Sequence, residues 1–217
     1  MKPLAVALLL RGRRVLVVGG GPVALGKIAR LLAAEASIHL VAPEILPEIE
    51  QLAAEDRITL CKRPFVAADL DGAWFCLTAT GRDRSDAEVF AACEERRVLC
   101  NAADVPEACT AYLLAQEDVG MLTLAVGSQG HAPGLVGRLA REARAAWPDD
   151  VVALATRYGD LRRWIQAQHP GAAALPHRTS ALRWLARQPW PFFRQPEQEL
   201  REAVAAAFKS EPPQRPR

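Results

Sequence analysis

Along the first half of the chain, short β-branched runs alternate with stretches whose apolar residues recur at helical spacing. Arg14 to Val18, RVLVV, is a continuous apolar run closed by three glycines, the pattern of a strand buried on both faces of a parallel sheet. From there apolar positions recur at Val23, Ile28, Leu31 and Leu32 up to Ala36, which predicts a helix before a second strand at Ser37 to Val41. Further strands are predicted at Ile58 to Cys61, Ala73 to Ala79 and Val98 to Asn101, with a helix over Asp86 to Glu95. Strands alternating with helices imply an α/β class with a parallel, doubly wound sheet. Met121 to Val126 reads as one more strand, with Ala111 to Leu114 as its candidate pairing partner. Pro133 stands where a helix running to about Trp147 would begin, because proline lacks an amide that the first turn leaves unbonded anyway. Beyond Trp147 no strand pattern survives, and the sequence reads as helices broken at Pro170, Pro176, Pro189 and Pro191. The proline-rich tail, Glu211 to Arg217, is expected to fray.

At the first strand-to-helix junction, Gly19, Gly21 and Ala24 form G-x-G-x-x-A. Gly19 permits the tight turn, Gly21 lets backbone approach a pyrophosphate, and Ala24 lets helix and strand pack closely. The helix amides and dipole then face the phosphates. Alone such a triplet is weak, since glycine turns after strands are common; its place in a β-α-β unit makes a Rossmann-like dinucleotide fold the expectation. The second strand ends Val41, Ala42, Pro43, Glu44, so an acid lies about 20 residues past the glycines with no arginine near, which favours NAD over NADP. A cap on the following helix is the competing reading of Glu44, because it stands one or two positions late. The expected organisation is a nucleotide-binding domain over residues 1–113, a linking region over 114–147 and a helical C-terminal domain over 148–217.

Composition narrows the partners. Half of the 217 residues are hydrophobic and 24% are charged, a globular balance. The apolar run Ala5 to Leu10 is too short for a signal-peptide core and far below the ~20 residues that cross a bilayer, so a cytoplasmic chain without a membrane partner is expected. The five cysteines, at 61, 76, 93, 100 and 109, lack the close pairs of a zinc site and read as free, partly buried thiols; no resident metal is expected. Residues 1–137 carry 13 basic and 17 acidic side chains, against 14 and 8 over 138–217. The basic half could dock nucleic acid but has no dense lysine tract or nucleic-acid module, and a small polyanionic substrate fits it as well; no nucleic-acid partner is expected.

Two further segments, Leu99 to Glu107 (LCNAADVPE) and Val126 to Pro133 (VGSQGHAP), complete a pattern with VLVVGGGPVALGKIARLL and HLVAPE. In order and spacing these resemble the precorrin-2 dehydrogenase and sirohydrochlorin ferrochelatase family, the N-terminal part of siroheme synthase, over about residues 5–165. Ala181 to Phe193 is similar, more weakly, to the family's helical C-terminal region, and with no methyltransferase half present a standalone form is expected. The resemblance implies NAD-dependent oxidation of precorrin-2 to sirohydrochlorin on a homodimer, with residues 114–147 in dimerisation and an active site between the nucleotide domain and the elements after it. The apolar positions Leu182, Trp184 and Phe192 are expected to seek a partner surface. In many members the same site inserts iron, making ferrous or cobaltous ion a second substrate.

The resemblance assigns Asp104 as the general base that takes protons from the macrocycle, Pro22, Val23, Pro43 and Glu44 to the NAD, and Ser128 to the mouth of the tetrapyrrole cleft. Ala79 and Thr80 join Gly19, Gly21 and Ala24 in the expected cofactor set, and Asn101 and His131 join Ser128 on the substrate side. A carboxyl among apolar residues suits a general base, although Asp104 would equally cap a helix starting near Pro106, and Ser128 would equally serve as a turn serine. His131 has no Cys or Asp at ligand spacing and reads as a surface or substrate-contacting residue; His39, His169 and His177 read as structural. The chain departs from the family pattern at Gly26, Gly81, Arg82, Asp86, Ala111, Leu114, His131 and Ala132. None of these removes Asp104 or the glycine turn, and the cleft-side changes bear on metal insertion. A non-catalytic NAD-binding sensor explains the glycine turn equally well, but leaves Asn101, Asp104 and the basic helical part without a role.

Overall fold

A computed structural model describes residues 3–81, 83–103 and 105–210. Five strands, β1 (Arg14–Val18), β2 (Ser37–Val41), β3 (Thr59–Cys61), β4 (Phe75–Thr78) and β5 (Leu99–Ala102), make one parallel sheet in the order β3-β2-β1-β4-β5. The chain winds outward from β1 to β3, then returns to pair β4 against β1, so the order reverses beside β1. Ligands of such sheets bind in the crevice at the carboxyl ends of the strands flanking that reversal.

Period-two alternation explains why RVLVV has no polar interruption. Val15 and Val17 point to the face covered by Ala24, Ile28 and Leu31 of α1 (Pro22–Ala33) and Ile49 of α2 (Pro47–Ala54). Leu16 and Val18 point to the other face, under Val89, Ala92 and Cys93 of α3 (Asp83–Arg96). Each such burial stabilises the sheet by roughly 1.5–3 kcal/mol.

After β5, the strands β6 (Ala115–Val119) and β7 (Leu122–Val126) form a hairpin turned at Gly120, whose φ is 58°. The pairing partner expected from sequence, Ala111 to Leu114, is corrected to Ala115–Val119. Segment 111–114 is held elsewhere: the Asn101 amide donates to the Ala111 carbonyl at 3.0 Å and Arg30 to the Leu114 carbonyl at 2.7 Å.

The remaining helices are α4 (Pro133–Ala145), α5 (Val151–Gln168), α6 (Leu175–Ala186) and α7 (Glu197–Ser210). Pro176 does not break a helix, as the sequence suggested; it sits in the first turn of α6, where its missing amide costs nothing. Two compact units result, one of Met1–Ala115 with Ala125–Leu139, the other of Gln116–Leu124 with Ala140–Arg217. The core of the second joins Leu154, Leu161, Ile165, Ala181, Leu185, Phe193, Leu200 and Val204. Leu182, Trp184 and Phe192 pack against this core, with Trp184 edge-on to Phe192 at 5.6 Å, so they do not need the external partner surface expected of them. Among the described residues no helix is long and apolar enough to cross a membrane. The tail expected to fray, 211–217, lies outside the described residues.

Candidate active site

The carboxyl edge of the sheet begins with the glycine turn. Gly19 leaves β1 with φ 119°, a conformation that favours glycine, and its amide donates to the Val41 carbonyl at 3.0 Å. A side-chain carbon at Gly19 would lie 2.3 Å from the Ala79 carbonyl oxygen, and one at Gly20 would lie 2.4 Å from that of Glu44. At Gly21 such a carbon would meet nothing within 4 Å. Gly21 is also the N-cap of α1, where no side chain caps the helix and the first turn holds no acid. With no side-chain cap and no acid in the first turn, the positive end of the helix dipole faces the open space beside Gly21. An anion such as a pyrophosphate fits this end, and Ala24, fully buried, lets α1 lie close on β1.

The other residues expected on the cofactor side gather around the turn. The loop after β2 is tied down by the Leu46 amide, which donates to the Gly20 carbonyl at 2.9 Å; Pro43 and Glu44 are exposed on that loop. Gly20 carries no signal in the sequence, because its constraint comes from the Glu44 carbonyl and not from its own backbone angle. Ala79 is buried against Gly19, and its amide donates to the Val18 carbonyl at 2.8 Å. Asp86, buried in α3, accepts from the Thr78 hydroxyl, from the Thr80 hydroxyl at 2.9 Å and from the Thr80 amide at 3.3 Å. A carboxylate, which only accepts, suits three donors, and it fixes the turn that presents Thr80.

Of the residues expected on the substrate side, Asn101 is buried with both ends of its amide engaged: Oδ1 accepts from Lys27 Nζ at 3.0 Å and Nδ2 donates to the Ala111 carbonyl. It braces α1 against β5 and the returning loop. Lys27, which sequence reasoning missed, brings a positive charge to this edge from α1, one turn after Ala24. Asp104 and Arg82 lie outside the described residues. Around position 104 the Ala103 amide donates to the Thr78 carbonyl at 2.9 Å, and Cys109 Sγ accepts from the Ala102 amide at 3.2 Å. Burial pushes the Cys109 thiol up. Ser128 Oγ accepts from the Ala132 amide at 2.9 Å and so closes the turn before α4. That turn abuts the Pro106 ring, 3.4 Å from where a side-chain carbon at Gly130 would stand, and it leaves His131 exposed.

Residues 6–115, which contain the glycine turn, Glu44, Thr80 and Asn101, match the family described as "Putative NAD(P)-binding". The chain belongs to this NAD(P)-binding family. Within it, the chain is 35% identical over 158 residues to siroheme synthase 1 of Aeromonas hydrophila, covering 73% of this chain and 34% of that protein. Against siroheme synthase 1 of Serratia proteamaculans it is 37% identical over 155 residues, 71% of this chain and 32% of the relative. The chain thus spans about a third of the length of the curated relatives it matches. Among solved structures, "SirC, precorrin-2 dehydrogenase" shares the fold with a TM-score of 0.66 and 22% identity, over 94% of this chain and 100% of that one.

Proposed function

We propose that this NAD(P)-binding chain oxidises precorrin-2 to sirohydrochlorin with NAD, in siroheme synthesis. The observation that carries the reading is the open helix end at Gly21, in a chain whose relatives include siroheme synthases. Bound NAD supplies the acceptor for the hydride that leaves the macrocycle. The chain supplies the rest: Gly21 and the first residues of α1, Pro22, Val23 and Ala24, hold the pyrophosphate. Glu44 takes the ribose hydroxyls beside Pro43, and Ala79 and Thr80 line the far side. Asp104 receives the proton released as hydride departs. Asn101 keeps the end of β5 in place through Lys27 and Ala111, while Ser128 and His131 face the tetrapyrrole carboxylates. Insertion of ferrous or cobaltous ion into the product belongs to the same reading as a second activity, with His131 and Ala132 the positions where it would be altered. The reaction takes place in the cytoplasm.

Incubating the protein with NAD and precorrin-2 tests the reading, with sirohydrochlorin absorbance and NADH expected to rise in equal amounts. Tight NAD binding with no product would instead favour a sensor. Two further results are expected. In calorimetric titrations NAD binds more tightly than NADP, because Glu44 would face the extra phosphate with no arginine to offset it; an equal or tighter constant for NADP contradicts this. The protein is a homodimer, joined through apolar surface such as Leu135 and Leu139, 53% and 42% exposed and one turn apart on α4. Light scattering that finds a stable 23.6 kDa monomer at micromolar concentration contradicts that.

A further inference from the structure

The second face of the sheet carries a group of side chains that the proposed reaction does not use. Cys76 on β4 and Cys100 on β5 are direct register partners, so both project from the same face, and Cys93 comes down on them from α3. Their three sulfurs lie within 4.8 Å of one another, the residues have no solvent exposure, and none is in a disulfide. Leu16, Val18, Leu70, Val89 and Val98 surround them. We propose that Cys76, Cys93 and Cys100 form a three-sulfur site for a soft, three-coordinate metal ion, and that cuprous ion is its best occupant.

Size, ligand type and ligand number support this choice. A metal–sulfur bond near 2.3 Å places three sulfurs about 4 Å apart around one ion, so the cluster closes on an ion with shifts under about an ångström. Thiolate selects soft ions, cuprous ion among them. Zinc prefers four ligands in a tetrahedron. Among the described residues no histidine or carboxylate joins the three sulfurs, and the core residues packed with them are apolar. The thiol protons that the ion displaces pass to solvent, and no electron is transferred.

The test uses the full reduced chain, kept anaerobic, with Cys61→Ser and Cys109→Ser to remove the two half-buried thiols outside the cluster. Because the cluster is covered, loading requires α3 to open transiently, so native and refolded protein are both titrated. Cuprous ion is added from a chromophoric chelator, and zinc is titrated in parallel. The expected result is one cuprous ion per chain, an X-ray absorption spectrum of sulfur ligands alone, a higher Tm on loading and zinc binding at least about a hundredfold weaker. Cys93→Ser and Cys100→Ser should each weaken cuprous binding by at least about a hundredfold while NAD affinity is kept. Should those variants not fold, mass spectrometry of alkylated wild-type protein decides: loading must protect residues 76, 93 and 100 together. Failure to take cuprous ion from the chelator, zinc binding as tight, nitrogen or oxygen ligands, or unprotected cluster thiols would each overturn the proposal.

Discussion

Gly21→Val is expected to abolish dinucleotide binding in a protein that still folds, whereas Gly19→Val and Gly20→Val are expected to fail in folding first. The contrast comes from what each new side chain would meet. At Gly19 the first added carbon lies 2.3 Å from the Ala79 carbonyl oxygen, and φ of 119° is itself unfavourable for valine. At Gly20 it lies 2.4 Å from the Glu44 carbonyl oxygen. Both contacts are with backbone and cannot be relieved by turning a side chain. Overpacking and strain of this kind cost about 1–3 kcal/mol each. In a chain of this size each kcal/mol lowers Tm by roughly 2–4 °C. At Gly21 the added carbon meets nothing within 4 Å, so valine projects into the space where the pyrophosphate must approach the α1 amides. Calorimetry with NAD, paired with thermal unfolding, separates the three. A Gly21→Val protein that binds NAD within a few-fold of wild type would remove the turn from the site.

Features that neighbouring residues decide among themselves were legible in the sequence. RVLVV, its three glycines and the helical spacing after them define strand, turn and helix within one stretch, and β1 and α1 match that pattern closely. Gly19 and Gly21 were legible for the same reason. Gly20 was not, because the Glu44 carbonyl that excludes a side chain there arrives from the end of another strand. Lys27 and Asn101 meet across 74 residues, and no local pattern announces that pair. The pairing of β6 is obscured because Ala111 to Leu114 is the more apolar stretch, while Ala115–Val119 alternates and is only half covered. Pro176 resembles a breaker because a first-turn proline and a helix-ending proline look alike without the helix around them. The cysteines show the limit best: no close pair exists in the sequence, and only the parallel register of β4 and β5 with α3 above them brings three sulfurs together.

Asp104→Ala is expected to lose the proposed dehydrogenase activity and keep its NAD affinity. Removing hydride from precorrin-2 leaves a proton to be taken up, and an enzyme working near neutral pH needs a positioned base to take it. General bases contribute roughly 10² to 10⁴-fold, so turnover should fall by about that factor. Residue 104 itself lies outside the described residues, but its flanks are well braced. β5 ends at Ala102, on the carboxyl edge where Gly19 and Thr80 also lie. Asn101, buried and tied to Lys27 and Ala111, precedes it, and the Ala103 amide bonds to Thr78. Because the proposed cofactor site is the glycine turn and Glu44, truncating residue 104 should leave the NAD dissociation constant within a few-fold of wild type. His131 is the rival, since imidazole is the commonest base near neutral pH. It is exposed on the turn that Ser128 closes, and it stands where the chain departs from the pattern it resembles, so the base that the resemblance implies is not His131. His131→Ala is accordingly expected to retain most of the turnover. The decisive comparison is single-turnover kinetics of both variants at saturating NAD, with folding checked by circular dichroism. If His131→Ala abolished turnover while Asp104→Ala kept more than about a third of it, the base would be His131 and the roles of the two would have to be exchanged.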